Sequence, residues 1–364
     1  MYRYANYFHQ RDEVTIVSTD HGQKTTDFVS ELRNKGIKVI EIHRSHPFNH
    51  YSLTGIIILA KSIKRVDLVY VWEPPTFLNP VIVLLARFFR KKSIRGHHNP
   101  FFYETTPDGK KLSHPTLIKL YEKLNLFFDT FYNWNHVQNS EHLETLTKLG
   151  FKNLIKIPSC IYLNDYHQAI KYDKFSILFL GRLNFHKGAD RVAKIVEYAL
   201  SLGEDISIKI VGTGIFETEL KKTLGKCREV NFFGYVNEKE KNDIIAKSHV
   251  LVAPTRVEAF MLTGIESLAS GTPVISFKVP GPSEYIINGI NGYICNSVEE
   301  CNQFVKEVYS KWRSGGFIDL VNGAIDSSKR YDCPKVIAEL QAVFHKIVET
   351  KVSGIIDSEN IERN

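Results

Sequence analysis

Cysteine is scarce and unpatterned in this chain: Cys160, Cys227, Cys295, Cys301 and Cys333 are odd in number, and no two form a C-x-x-C pair. Such spacing argues against a disulfide framework or a zinc site and for a reducing compartment. Long apolar runs are absent too. The longest, Phe77 to Phe89, is broken by Pro80 and Arg87. It falls well short of the roughly 20 residues a membrane-crossing helix needs and reads as a buried crossover helix. The N-terminus, MYRYANYF, has no apolar core of a signal peptide, so a cytoplasmic protein is expected. Repeats and low-complexity tracts are missing as well.

What is present is ordinary for a globular protein. A hydrophobic fraction of 43% and a charged fraction of 24% exclude disordered and collagen-like classes. The 364 residues suit two α/β domains. A net charge of +7 is compatible with nucleic acid, an anionic membrane or phosphorylated substrates. No nucleic-acid-binding module is recognisable, so no nucleic-acid partner is expected.

Short β-branched runs alternate with helical patterns, as parallel βαβ units require. Strands are expected at 14–18, 37–42, 68–71 and 92–95 in the first half, and at 176–180, 206–211, 230–233, 250–252 and 273–276 in the second. The helix after Lys187 is the clearest, with Ala189, Val192, Ile195, Val196, Ala199 and Leu200 on one face and Gly203 just past its end. Residues 159–174 lack periodicity and read as the linker. The expected division is therefore 1–165, 166–333 and a closing helix with a frayed polar tail over 334–364.

Three segments of the second half carry the chemistry. In Leu180-Gly-Arg-Leu-Asn-Phe-His-Lys-Gly188, a strand end leads to a loop holding Arg182 and Lys187 beside a helix N-terminus. Free N–H groups and two cations there suit an anion such as a diphosphate, although most Lys and Arg residues are simply solvated. Val211-Gly-Thr-Gly214 follows a strand directly, and its glycines need mean no more than a tight turn. In the third, Glu258 lies in a loop and Glu266 in a first helical turn. Carboxylates so placed can accept paired hydrogen bonds from vicinal hydroxyls. Thr263-Gly-Ile-Glu266 equally fits an S/T-x-x-E capping box, and local grammar alone favours the cap.

Taken together, these segments resemble the retaining glycosyltransferases of family 4. The E-x7-E signature fits Glu258 and Glu266, the G-R-x4-K-G element fits Gly181, Arg182, Lys187 and Gly188, and V-G-x-G fits Val211 to Gly214. Phe233-Gly-Tyr-Val236 before an Asn237-capped helix is similar to the family's base-binding turn, and Pro280 to Glu284 and Asn288 to Gly292 to its next elements. In the first half, Asp67 to Glu73 and Arg95-Gly-His-His-Asn-Pro100 resemble strand ends facing the cleft, with His98 the better fit to the cleft histidine and His97 the alternative.

The resemblance implies a GT-B architecture: two Rossmann-like domains, the N-terminal one on the acceptor side and the C-terminal one holding a nucleoside diphosphate sugar. It implies Arg182, Lys187, Glu258 and His98 as catalytic-site residues. Gly181, Gly212, Gly214, Tyr235, Val236, Phe260, Met261, Leu262, Thr263 and Glu266 would bind substrate. No metal or other cofactor is implied. A glycan or lipid-linked acceptor follows, with the basic stretch Arg87 to Arg95 offering contact to an anionic membrane. The rivals are a sugar-nucleotide epimerase and a binding protein without turnover. Two departures stand out. Met261 replaces a usual glycine, and the chain opens inside what resembles the first helix, so the first strand and its glycine-rich loop are expected to be missing. On that reading the chain would bind nucleotide but transfer sugar poorly.

Overall fold

The computed structural model describes residues 2–20, 27–45, 50–51, 53–72, 78–99, 105–111, 115–349 and 353–357. Glu73, Phe77, Pro100 and the tail beyond Asp357 lie outside them.

The first half runs α1 (Tyr2–Phe8), β1 (Thr15–Asp20), α2 (Asp27–Asn34), β2 (Lys38–Ser45), β3 (His50–Tyr51) and α3 (Leu53–Lys64), then β4 (Leu68–Val71), α4 (Leu78–Phe88) and β5 (Lys92–His97). It continues through α5 (Pro115–Asp129), β6 (Trp134–Val137), α6 (Ser140–Lys148) and β7 (Leu154–Lys156). The second half alternates as regularly: β8 (Phe175–Leu180), α7 (Ala189–Leu200), β9 (Ile206–Val211), α8 (Glu217–Leu224), β10 (Val230–Gly234), α9 (Glu238–Lys247), β11 (Val250–Ala253), α10 (Leu262–Ala269) and β12 (Val274–Phe277). The short α11 (Pro280–Ser283), β13 (Gly292–Cys295), α12 (Val298–Ser314) and α13 (Phe317–Ser328) complete that domain, and α14 (Cys333–Glu349) and β14 (Ile355–Asp357) return to the first.

The central strands β8, β11 and β12 are buried on both faces because helices cover both, whereas the edge strand β10 leaves Asn231 and Phe233 exposed. Val192, Ile195, Val196 and Ala199 of α7 pack against Phe175, Ile177 and Phe179 of β8, as the helical spacing predicts. The sheet order is β10-β9-β8-β11-β12-β13, all parallel. Connections reverse direction between β8 and β11, so their following loops part above the sheet and leave a crevice there.

In the first half β14-β7-β6-β5-β4 form one parallel sheet, while β1 and β2 pair parallel and the short β3 pairs antiparallel with β2 in a separate one. Among the described residues β1 and β4 are not paired, although Val17 of β1 and Val69 of β4 share one apolar cluster.

Three expectations need correction. The segment after α14 is not wholly frayed, because Ile355–Asp357 pair with Leu154–Lys156 of β7. Helix α14 itself buries Val336, Ile337, Leu340 and Phe344 against Ile94, Trp134 and Ile155 of the N-terminal sheet. Cys160 and Cys333 are disulfide-bonded, which withdraws the cysteine argument for a reducing compartment. They meet because the two chain crossings between the domains run side by side, with Ile161 N–H donating to Tyr331 O and Cys333 N–H to Ile161 O. Arg95, counted with the surface basic stretch, is instead 2% exposed and paired with Asp129 at 3.2 Å. Around them Asn79 donates to Asp129 (2.8 Å) and Tyr132 to Asn79 (2.5 Å), knitting α4 and α5 to β5.

The outer side of α4 and α5 is unusually apolar. Leu84 and Phe88 on α4, and Leu120, Leu124 and Phe127 on α5, are all more than half exposed at four- and three-residue spacing. Arg87, Arg90, Lys119 and Lys123 lie exposed among them.

Candidate active site

The loop after β8 carries Arg182 and Lys187, and the loop after β11 carries Glu258; the reversal between the two strands brings them to one crevice. The crevice is open to solvent. Arg182, Lys187, Glu258, Met261 and Thr263 line it, together with Ala189 at the start of α7. Two helix N-termini, those of α7 and α10, therefore reach the same space. At α7 the Ala189 and Arg191 N–H groups already donate to Asn184 O and Gly188 O, but both helices turn the positive end of the dipole toward the space, which suits an anion.

Gly188 makes this convergence possible. Its φ is 72°, and a Cβ there would lie 1.9 Å from Pro254 O, so any side chain would push α7 away from the end of β11. Arg256 fixes the other side of the loop: it forks onto Asp190 at 2.6 and 2.7 Å and donates to Phe185 O at 2.8 Å. Arg256 is a residue that sequence pattern did not single out, since it is one loop cation among many. Gly181, Gly212 and Gly214 form adjoining turns, with Gly181 N–H donating to Val211 O and Gly212 N–H to Gly234 O.

Lys187 touches Glu258, so two residues assigned separate tasks form an ion pair in the free protein. Burial, and then the charge of Arg182, nevertheless pull the Lys187 ammonium down to about 8. Arg182 and Lys187 leave the cluster with more positive than negative charge beside Glu258, as an anion site requires.

Glu266 is 4% exposed in α10 and pairs with Lys241 of α9 at 2.9 Å. The capping-box alternative does not form. The N-cap is Met261, with no side-chain cap hydrogen bond, and Thr263 lies inside the helix. A true capping box closes at Asn237 and Glu240, at the start of α9. Burial disfavours the Lys241 charge, but the Glu266 and Glu238 carboxylates outweigh it and raise the ammonium above its ordinary value. Glu266→Gln preserves size and removes this charge. If Glu266 serves a nucleotide ribose, calorimetry should show affinity about tenfold weaker, with the melting temperature little changed. A lower melting temperature with unchanged affinity would leave it as a structural partner of Lys241 only.

Met261 occupies the usual glycine position and adopts the left-handed conformation (φ 58°, ψ 75°) despite its side chain. Such a backbone costs a non-glycine residue of order 1–2 kcal/mol. Burial of the side chain and the Tyr285 hydroxyl, which donates to Met261 O at 3.0 Å, hold it there. Phe260 is buried beside it, while Leu262 is 39% exposed. Tyr235, at 86% exposure, and the half-buried Val236 follow β10 at the same end of the sheet.

His98 stands apart from this cluster, just beyond β5 on the N-terminal side, stacked on Trp72 with ring centroids 3.7 Å apart. The alternative, His97, is buried and bonded to Asn135 at 2.9 Å; burial first, then Arg95, lower it to about 3, which fits a core residue. The N-terminal domain touches the cluster's supports directly. Thr105 O and His186 Nε2 are 2.8 Å apart, Asn139 donates to Ala259 O at 2.7 Å, and Ser140 N–H donates to Glu284 at 2.7 Å.

Residues 165–312 match the family model described as glycosyl transferases group 1. An uncharacterised glycosyltransferase of Haemophilus influenzae is 30% identical over 169 residues, 44% of this chain and 47% of that protein. A 41.2 kDa protein in the cps region of Klebsiella pneumoniae is 27% identical over 201 residues, 50% of this chain and 52% of its own. The chain thus spans about half the length of these curated relatives. Among solved structures, HepE of Anabaena in complex with UDP and glucose has a TM-score of 0.74 at 15% identity, covering 94% of both chains. A glycosyltransferase from Rickettsia africae has a TM-score of 0.71 at 16% identity, covering 96% of this chain and 94% of its own. At those identities the likeness is one of fold. The chain has a GT-B architecture of two Rossmann-like domains with parallel sheets facing an interdomain cleft.

Proposed function

We propose that the chain is a glycosyltransferase that moves a sugar from a nucleoside diphosphate sugar to a hydroxyl acceptor, with retention at the anomeric carbon. The observation that supports it most is the convergence of Arg182, Lys187 and two helix N-termini on one crevice at the strand-order reversal. Departure of a nucleoside diphosphate builds negative charge on its phosphate oxygens. Preorganised cations and N–H groups lower that barrier without reorganising. Glu258, already held against Lys187, would exchange that contact for the sugar's hydroxyls once the diphosphate engages the ammonium. Glu266 would take the ribose diol, and the turn at Tyr235 and Val236 the base. The leaving phosphate would receive the acceptor proton, so no paired hydrolase carboxylates are required. Turnover is therefore expected to survive a metal chelator.

The ligands named for HepE make UDP-glucose the first donor to try. A panel of UDP-, GDP- and ADP-sugars, with release of free sugar as the readout, tests the reading. Tight binding without release from any donor would mark a binding protein without turnover, and epimerised donor would mark an epimerase.

The acceptor reading is a glycan or lipid-linked glycan reached at an anionic membrane surface. It is supported by the apolar, basic face of α4 and α5, with Arg95 removed from the set. Each basic residue at such a surface adds about 1 kcal/mol. Co-sedimentation with anionic vesicles should weaken in high salt and in Phe88→Ser, while neutral vesicles bind poorly. Equal binding to both vesicle types would overturn this electrostatic docking.

A further inference from the structure

Behind His98 lies a hydrogen-bond chain that sets which of its ring nitrogens carries the proton. His136 Nε2 is 2.8 Å from Ile157 O. A carbonyl oxygen can only accept, so Nε2 bears the hydrogen. Burial, as the leading cause, lowers His136 to about 4 and leaves its ring neutral, so Nδ1 is an acceptor. Tyr70 Oη lies 2.7 Å from that Nδ1 and must donate to it. The same oxygen lies 2.8 Å from His98 Nε2, and, its own proton spent, it can only accept there. His98 therefore carries its hydrogen on Nε2. Its Nδ1, buried and without a hydrogen-bond partner among the described residues, is left as a bare lone pair.

The surroundings keep this arrangement in place. Trp72 stacks on the His98 ring with an interplanar angle of 15°, and Tyr70 meets Trp72 edge-on at 5.7 Å. Gly96 leaves the necessary room: a Cβ there would stand 2.4 Å from His98 Nε2 and 2.8 Å from Tyr70 Oη. Burial, the leading cause, disfavours a second proton on His98, and the Arg95 guanidinium adds to it. A buried acceptor left without a donor is destabilising, a penalty that a ligand donor would remove.

We propose that Tyr70 and His136 are positioning residues that hold His98 in its Nε2–H form, presenting Nδ1 as the acceptor for a ligand hydroxyl in the cleft. The ligand part rests on the transferase reading; the proton placement does not.

The test is nitrogen NMR of the full chain labelled with 15N-histidine, with His98 assigned from the spectrum of His98→Gln. The wild-type spectrum is expected to show a pyridine-like Nδ1 and a pyrrole-like Nε2 on His98. A protonated Nδ1 would overturn the relay whatever the enzyme does, and needs no variant of the relay itself. In Tyr70→Phe the two tautomers should mix, and kcat/KM for the donor should fall about tenfold, the worth of one hydrogen bond. An unchanged His98 spectrum in Tyr70→Phe would overturn the positioning role. Saturating UDP-glucose should shift Nδ1 in the wild type. If UDP-glucose binds by calorimetry and Nδ1 does not move, the ligand assignment fails while the transferase reading stands.

Discussion

Arg182→Ala and Lys187→Ala are each expected to lower kcat/KM for the donor sugar by about 100-fold, with the melting temperature little changed for Arg182, which is exposed. Both side chains reach the crevice between the loops after β8 and β11, where the proposed leaving diphosphate would gather charge. Arg182→Lys should recover only part of the activity, because a point charge cannot fork onto two phosphate oxygens. Lys187 adds a pH signature. Its ammonium is pulled to about 8 by burial and by Arg182. The charged form that binds a diphosphate thus dominates below pH 8 in the free protein and is lost as pH rises through it. Donor affinity should weaken above pH 8, and Lys187→Arg should push that loss to higher pH. Kinetics as in wild type for both alanine variants would defeat the phosphate-site assignment.

The largest effect on stability is expected at Asp129. It shares the interior with Arg95, both side chains being 2% exposed. Asp129→Ala leaves a buried guanidinium without its carboxylate and strands Asn79 Nδ2, which donates to the same oxygen. Loss of one partner of a buried pair costs about 3–5 kcal/mol. Urea denaturation should show this as a lower midpoint. Replacing both partners with apolar residues, as in Arg95→Met with Asp129→Leu, should recover much of the loss, because the desolvation cost of the charges goes with them. A midpoint unmoved by Asp129→Ala would show that water or backbone already satisfies Arg95.

The C-terminal domain was largely legible in the sequence because its strands are continuous apolar runs and its helices carry one apolar face. The strand Ile206–Val211 has the expected bounds, and β8 begins one residue before its expected start. β6 was not legible. Trp134-Asn-His-Val137 has polar residues at its centre, yet all four residues are buried. Asn135 and His136 are tolerated there because His97, Tyr70, Asp129 O and Ile157 O supply their hydrogen bonds. Those partners are dispersed along the chain, and no local pattern announces them. The crossing that joins Cys160 to Cys333 spans 173 residues and is equally invisible to spacing.

Glu266 shows where the boundary falls. That a carboxylate sits in α10 after a strand and a loop, and that Arg182, Lys187 and Glu258 each follow a strand end, is written in the local sequence. Periodicity and turn residues act within one element, so a single stretch of chain contains that information. Packing between elements settles that Glu266 faces Lys241 rather than capping its own helix, that Lys187 meets Glu258, and that Met261 takes the backbone conformation of a glycine. The physical reason is that charge pairing and backbone strain are settled by sheet order and helix packing, which bring together groups from separate elements.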